Sequence, residues 1–140
     1  MRVAFYQFAP KFGAVEENRA RLMATLDRVE ADLVVLPELA TTGYLFASHD
    51  DVRHLAESIP GPTVDALQTW AARRGSHLVL GLAERADDRC YNSAVLIGPG
   101  GVIGTYRKMH LFHEEKQLFH PGDLGFPVFE IAGVKIGILI

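Results

Sequence analysis

Leu33-Val34-Val35-Leu36-Pro37-Glu38 is the stretch on which the fold turns. Asp32 precedes four apolar residues in succession, two of them β-branched, and such a run describes a strand buried on both faces, as in a parallel sheet. The run stops at Pro37, which has no N–H to donate to a ladder. Glu38 then stands just past the carboxyl end of the strand, where ligands of open α/β sheets bind. A strand is therefore predicted over 32–36, with a carboxylate placed at its functional end.

Upstream, Val3 to Phe8 is a second β-rich run, and between the two strands a helical pattern starts at Val15. Leu22, Leu26 and Val29 recur at i, i+4 and i+7, the spacing of one apolar helix face. The opening is thus a βαβ unit. Downstream, a loop around Gly43 leads to a short helix near Asp51 to Ser58, and Pro60-Gly61-Pro62 breaks the pattern. Val64, Leu67, Trp70 and Ala71 then resume helical spacing up to Gly75, which predicts a second crossover helix. His77 to Leu82, Ser93 to Ile97, Val102 to Tyr106, Val128 to Ile131 and Val134 to Ile140 read as strands joined by Gly- or Pro-containing turns. Alternating βαβ followed by hairpins predicts an α/β layered domain with a mixed sheet. No repeat, low-complexity tract or linker divides the chain.

Composition sets outer limits. Hydrophobic residues make up 49% and charged residues 22% of the 140 residues, ordinary globular usage that predicts folding. Fourteen Lys and Arg against seventeen Asp and Glu give a net charge of -3, with no long run of one sign, so neither nucleic acid nor an anionic membrane is an expected partner. Apolar runs such as Ile136 to Ile140 fall far short of the roughly 20 residues of a membrane span, and Met1-Arg2-Val3 leads straight into a strand. Neither a signal peptide nor a transmembrane helix is expected. The single cysteine, Cys90, forms no internal disulfide, which fits a reducing compartment and a cytoplasmic location.

Three motifs carry chemistry. Glu38 opens Pro-Glu-x4-Gly-Tyr, completed by Gly43 and Tyr44. Tyr106-Arg107-Lys108-Met109-His110-Leu111-Phe112 follows directly on a strand. Glu115 begins Glu-x3-Phe-x-Pro-Gly with Phe119, Pro121 and Gly122. Taken singly, Glu38 would be a loop-capping carboxylate and Arg107-Lys108 a solvated basic pair, because Glu and Lys are rarely buried without partners. In this order the three motifs resemble the signatures of the nitrilase superfamily of carbon-nitrogen hydrolases, whose members hydrolyse nitriles, amides and carbamoyl groups.

The resemblance implies a four-layer αββα sandwich with a mixed sheet, assembled as a homodimer or larger homo-oligomer, with no metal or organic cofactor. Residues 1–140 would be the N-terminal portion of a single carbon-nitrogen hydrolase domain. It implies that Glu38 is the general base, that Lys108 stabilises the oxyanion and that Glu115 supports the catalytic residues and positions substrate. Tyr44 and His110 are expected on the substrate side. Thiol-dependent hydrolysis needs these parts: a base for the thiol proton, a positive group where charge develops, and a nucleophile in line. In the family the nucleophilic cysteine directly follows a strand of the pattern shown by Val134-Lys135-Ile136-Gly137-Ile138-Leu139-Ile140, so a cysteine is expected immediately after Ile140. Without the rest of such a domain, a sheet edge and an apolar face would lie uncovered.

Cys90 does not fill that role, because it precedes Tyr91-Asn92-Ser93 at the start of a different strand; it reads as a structural thiol. Of six histidines, His110 and His113 form an i, i+3 pair, yet no HExxH or cysteine cluster accompanies them, and no metal site is expected. Gly98-Pro99-Gly100-Gly101 leads into a strand rather than a helix and reads as a hairpin turn, not a phosphate loop. The expected activity is hydrolysis of a small amide, with nitriles or carbamoyl groups as the other substrate classes, through a thioester. A non-catalytic binding module with the same fold is the rival reading. A nucleotide-binding domain has only the βαβ opening in its favour.

Overall fold

The computed structural model describes residues 1–140. The chain runs β1 (Val3–Phe5), α1 (Val15–Leu26), β2 (Leu33–Val35), α2 (His49–Leu55), α3 (Pro62–Arg74), β3 (His77–Ala86), β4 (Arg89–Gly98), β5 (Gly101–Arg107), α4 (Glu115–Leu118), β6 (Val128–Ile131) and β7 (Val134–Gly137). The first five strands form one sheet in sequence order, with β1, β2 and β3 parallel and β3, β4 and β5 antiparallel. The α/β class and mixed sheet are as the sequence predicts. β6 and β7 pair as a separate hairpin.

Two-residue periodicity sorts the strands onto two cores. Leu78, Leu80 and Leu82 with Val95 and Ile97 face α1 and α3, where Leu22, Leu26, Leu67 and Trp70 are fully buried. Each such side chain contributes roughly 1.5–3 kcal/mol by leaving water. Val79, Ala94 and Leu96 point the other way, onto Ile131 and Ile138 of the hairpin and its tail. The chain thus supplies one helical layer, one five-stranded sheet and a hairpin across the sheet's second face. No helix is long and apolar enough to cross a membrane.

Several elements differ in extent from the sequence reading. α1 ends at Leu26, and Val29 sits in the turns that follow, its N–H bonded to the Leu26 carbonyl. The short helix starts at His49 rather than Asp51 because Ser48 caps it, its Oγ accepting the Asp51 N–H at 3.2 Å. β1 and β2 are three residues each, and β7 stops at Gly137. Residues 138–140 continue the apolar pattern without pairing, since a strand needs a ladder partner as well as a suitable sequence.

Candidate active site

Glu38 is delivered by a backbone crossing that only glycine permits. After β2 the chain passes over β3 at Gly81, where a Cβ would lie 2.5 Å from the Pro37 carbonyl oxygen and 2.6 Å from Glu38 Cα. The Ala40 N–H bonds the Gly81 carbonyl at 2.8 Å and fixes the crossing. Farther along the loop, Asn18 of α1 is fully buried and donates to the carbonyls of Lys11 and Thr41 at 2.7 and 2.8 Å. Leu39 (φ 47) and Gly43 (φ 74) take left-handed conformations, which turn the chain so that Tyr44 returns over Glu38. The Tyr44 hydroxyl donates to the Glu38 carbonyl oxygen at 3.2 Å and to its Oε2 at 3.3 Å.

Lys108 is the first residue past β5, and its N–H extends the ladder by bonding the Asn92 carbonyl at 2.8 Å. Its own carbonyl accepts the Gly122 N–H at 2.9 Å. Gly122 lies so close to the Arg107 backbone that no side chain would fit there. Beside it, the Arg107 guanidinium grips buried Glu84, with Nε 2.9 Å from Oε2 and Nη2 2.5 Å from Oε1. It also reaches Asp123 at 2.8 Å and lies 3.9 Å over the Tyr91 ring. Glu84 further accepts the Ser93 hydroxyl at 2.6 Å, so this buried carboxylate is well supplied with donors.

Glu115 opens the single turn of α4, and its Oε2 accepts the Phe112 N–H at 2.7 Å. The three charged residues meet at Lys108: Nζ donates to Glu38 Oε1 at 3.0 Å and to Glu115 Oε1 at 2.9 Å. All three side chains are largely withdrawn from solvent, with relative exposures of 11% for Lys108, 26% for Glu38 and 18% for Glu115.

The electrostatics follow from these contacts. Burial pulls the Lys108 pKa down, but hydrogen bonds with Glu115 and then Glu38 outweigh it, and the ammonium is held above its ordinary range. Burial pushes the Glu115 carboxyl up, whereas the Phe112 N–H and Lys108 pull harder the other way, so it stays ionised at neutral pH. Burial first, and the Glu38 charge second, raise the Tyr44 phenol, which stays protonated and acts as a donor. The cluster is a fixed ammonium between carboxylates. No group of three or more His, Cys, Asp or Glu is placed to hold a metal ion.

A pocket of about 410 Å³ opens beside Glu38, walled by Leu33, Val79 and Ala94 and by the tail from Ile136 to Ile140. Glu38, Lys108, Glu115 and Tyr44 are thus brought together. His110 is not: it is exposed, and its ring stacks on Phe126 with centroids 6.2 Å apart and planes at 22°. Cys90 is fully buried, and burial pushes its thiol pKa up, the reverse of what a nucleophile requires.

No motif singles out Asn92. Its side chain is fully buried, and Nδ2 lies 2.6 Å from Glu38 Oε1 and 3.0 Å from Glu115 Oε1. The one available signal was a polar Asn-Ser pair inside an otherwise apolar strand.

Comparison with known proteins shows what the chain is similar to. Residues 2–140 match the family model described as carbon-nitrogen hydrolase. The chain is 43% identical to a nitrilase from Pyrococcus abyssi over 144 residues, covering 100% of this chain and 55% of that protein. It is 33% identical to an (R)-stereoselective amidase from a Pseudomonas species, covering 100% of this chain and 51% of the relative. Among solved structures, a CN-hydrolase superfamily protein from Xanthomonas campestris, with an arsenic adduct in its active site, superposes with a TM-score of 0.85 at 28% identity, covering 97% of this chain and 51% of its own. The chain spans about half the length of these curated relatives.

Proposed function

The chain belongs to the carbon-nitrogen hydrolase family, and from that premise we propose that it carries the base and the oxyanion-stabilising half of a thiol-dependent hydrolase of small amides. The observation that carries the proposal is the shared ammonium: Lys108 Nζ bonds both Glu38 and Glu115 within 3.0 Å. The nucleophile in this reading is a cysteine following Ile140. Its support is the pocket that Glu38 shares with the tail Ile136 to Ile140, which brings that end of the chain to the base.

The chemistry then runs in two halves. Glu38 takes the thiol proton, and the thiolate attacks the carbonyl carbon of the amide, whose oxygen becomes an oxyanion facing Lys108. A positive group already in place needs no reorganisation when that charge appears, and Lys108 is kept charged by its two carboxylates. Collapse of the tetrahedral adduct breaks the C–N bond, Glu38 returns its proton to the leaving nitrogen, and ammonia departs, leaving a thioester. Water attacks the thioester as Glu38 accepts its proton, collapse of the second adduct breaks the C–S bond, and Glu38 returns that proton to the departing thiolate, which frees the carboxylic acid and restores the cysteine thiol. Glu115, ionised and pinned by Phe112, holds Lys108 in position without exchanging a proton. Tyr44, with its proton retained, orients Glu38 and borders the substrate. In this reading His110 acts through its loop.

The test is amide turnover by the complete protein, read as ammonia release from small aliphatic amides such as propionamide. Glu38→Gln is expected to lower kcat by about 10²–10⁴-fold, the usual contribution of a positioned acid-base group. Full turnover in that variant would sink the base assignment.

A non-catalytic binding module is the second reading, and its support is that Cys90 is buried in an apolar cluster and does not line the pocket beside Glu38. Iodoacetamide separates the two. Alkylation of a single cysteine other than Cys90 supports the hydrolase; none supports the binder.

A further inference from the structure

Asn92 lies inside β4 with its side chain out of contact with water, an expensive place for a primary amide. Both of its recorded side-chain contacts are carboxylates. Nδ2 donates to Glu38 Oε1 and Glu115 Oε1, the same two oxygens that receive Lys108 Nζ. Its Oδ1 is buried with no partner. Native structures rarely leave a buried acceptor unpaired, so the place of this amide asks for a reason.

We propose that Asn92 is a positioning residue of this site, a neutral second donor that holds both carboxylates on Lys108 and leaves Glu38 Oε2 as the oxygen that accepts the thiol proton. The proposal rests on the hydrolase reading above. Two carboxylates drawn to one ammonium repel each other, and a pair crowded in this way tends to trap a proton between its members. A second cation would relieve the repulsion but would also compete for the oxyanion. An amide relieves it without adding charge. A lysine cannot fix the geometry alone, because its charge rides on a flexible four-carbon stem.

Asn92, in contrast, is anchored on a central strand, and its own carbonyl receives the Lys108 N–H at 2.8 Å. One residue therefore sets the position of the lysine backbone and of both carboxylates. The outcome is an asymmetric Glu38: Oε1 is occupied by Nζ and Nδ2, while Oε2 has only the longer contact from Tyr44 at 3.3 Å.

The experiment uses the complete protein and two substitutions, read by the rate of iodoacetamide alkylation at the cysteine after Ile140 as a function of pH, and by kcat and KM for propionamide. Asn92→Ala is expected to slow alkylation at neutral pH and to lower kcat by about 10- to 100-fold, the scale of a small misplacement of reacting groups. KM should stay within about twofold, since nothing that touches substrate has been removed.

Asn92→Asp distinguishes positioning from packing, because it keeps the shape. An aspartate at this position donates only when protonated, and when ionised it is repelled by Glu38 and Glu115 while competing with them for Lys108. Its alkylation rate relative to the parent should therefore recover as pH is lowered from about 8 to about 5. If Asn92→Ala does not fold, the isosteric Asn92→Asp carries the test by itself. Parental rate and pH dependence in Asn92→Asp, or rates within twofold of the parent in Asn92→Ala, overturn the positioning role and leave the hydrolase reading standing. A parent protein alkylated nowhere, or only at Cys90, overturns both.

Discussion

Gly81 and Glu38 are stacked backbone to backbone, with the Cα of Glu38 only 2.6 Å from where a Cβ on Gly81 would be. The closeness lets the loop after β2 lie flat across β3, and it sets the height at which the Glu38 carboxylate meets Lys108. A residue with no side chain thus decides the position of the proposed base.

Gly81→Ala is accordingly expected to cost about 1–3 kcal/mol, as overpacking usually does, and to displace Glu38. Urea unfolding of the complete protein and amide turnover check the two effects together. A variant with parental stability and turnover would show that the crossing has slack the geometry does not suggest.

Glu84 is nearly out of contact with solvent, at 6% side-chain exposure, and Arg107 is paired with it through two nitrogens. Glu84→Ala removes the buried partner, takes away three hydrogen bonds and leaves Arg107 with the half-exposed Asp123 alone, so it should destabilise by about 3–5 kcal/mol. Asp123, the other partner of Arg107, is about half exposed, and Asp123→Asn should cost under about 1 kcal/mol. The contrast between the two in urea unfolding is the measurement. Equal effects would mean that the Glu84 contact adds nothing beyond an exposed pair.

Stability should depend on pH through Glu115 and Lys108 with opposite signs. Glu115 is depressed below the ordinary 4.5, because the Phe112 N–H and Lys108 outweigh burial, which acts the other way. Its contribution is thus fully present above that value and is lost as pH falls through the lower folded value. Lys108 is raised above 10.5, its hydrogen bonds to Glu115 and Glu38 outweighing burial, so its contribution is present below that value and is lost as pH rises through the higher folded one. The stability advantage of the parent over Glu115→Gln should therefore shrink below pH 4.5, and its advantage over Lys108→Met should shrink above pH 10.5. Thermal unfolding across pH reads both, and a gap that widens at either end contradicts the corresponding shift.

Leu67 is fully buried between α3 and the sheet, so Leu67→Ala should destabilise by about 2–5 kcal/mol. A loss under about 1 kcal/mol in urea unfolding would indicate that this face of the core closes over the cavity.

The architecture is legible along the chain, and the motifs single out the three charged residues. The periodicities of Leu22 with Leu26 and of Val64, Leu67, Trp70 and Ala71 announce helices, because one-sided burial imposes a 3.6-residue repeat that can be read locally. The run Leu33 to Leu36 announces a parallel strand for a similarly local reason, and Glu38, Lys108 and Glu115 stand in motifs whose spacing is itself sequence information. Which side chains meet is a matter of the folded chain.

Asn92 is one polar residue in an apolar strand until the chain folds, and its partners Glu38 and Glu115 lie 54 and 23 positions away. Glu84 likewise reads as the polar end of a strand, and only the return of β5 brings Arg107 to it. His110 shows the converse: its motif points toward the site, and in the folded chain it stands exposed with its ring on Phe126. Ile138 to Ile140 have the sequence of a strand, yet β7 ends at Gly137. Local sequence fixes propensity and period, whereas a hydrogen bond, an ion pair or a ladder is a property of two segments. It exists only when the topology closes the loop between them.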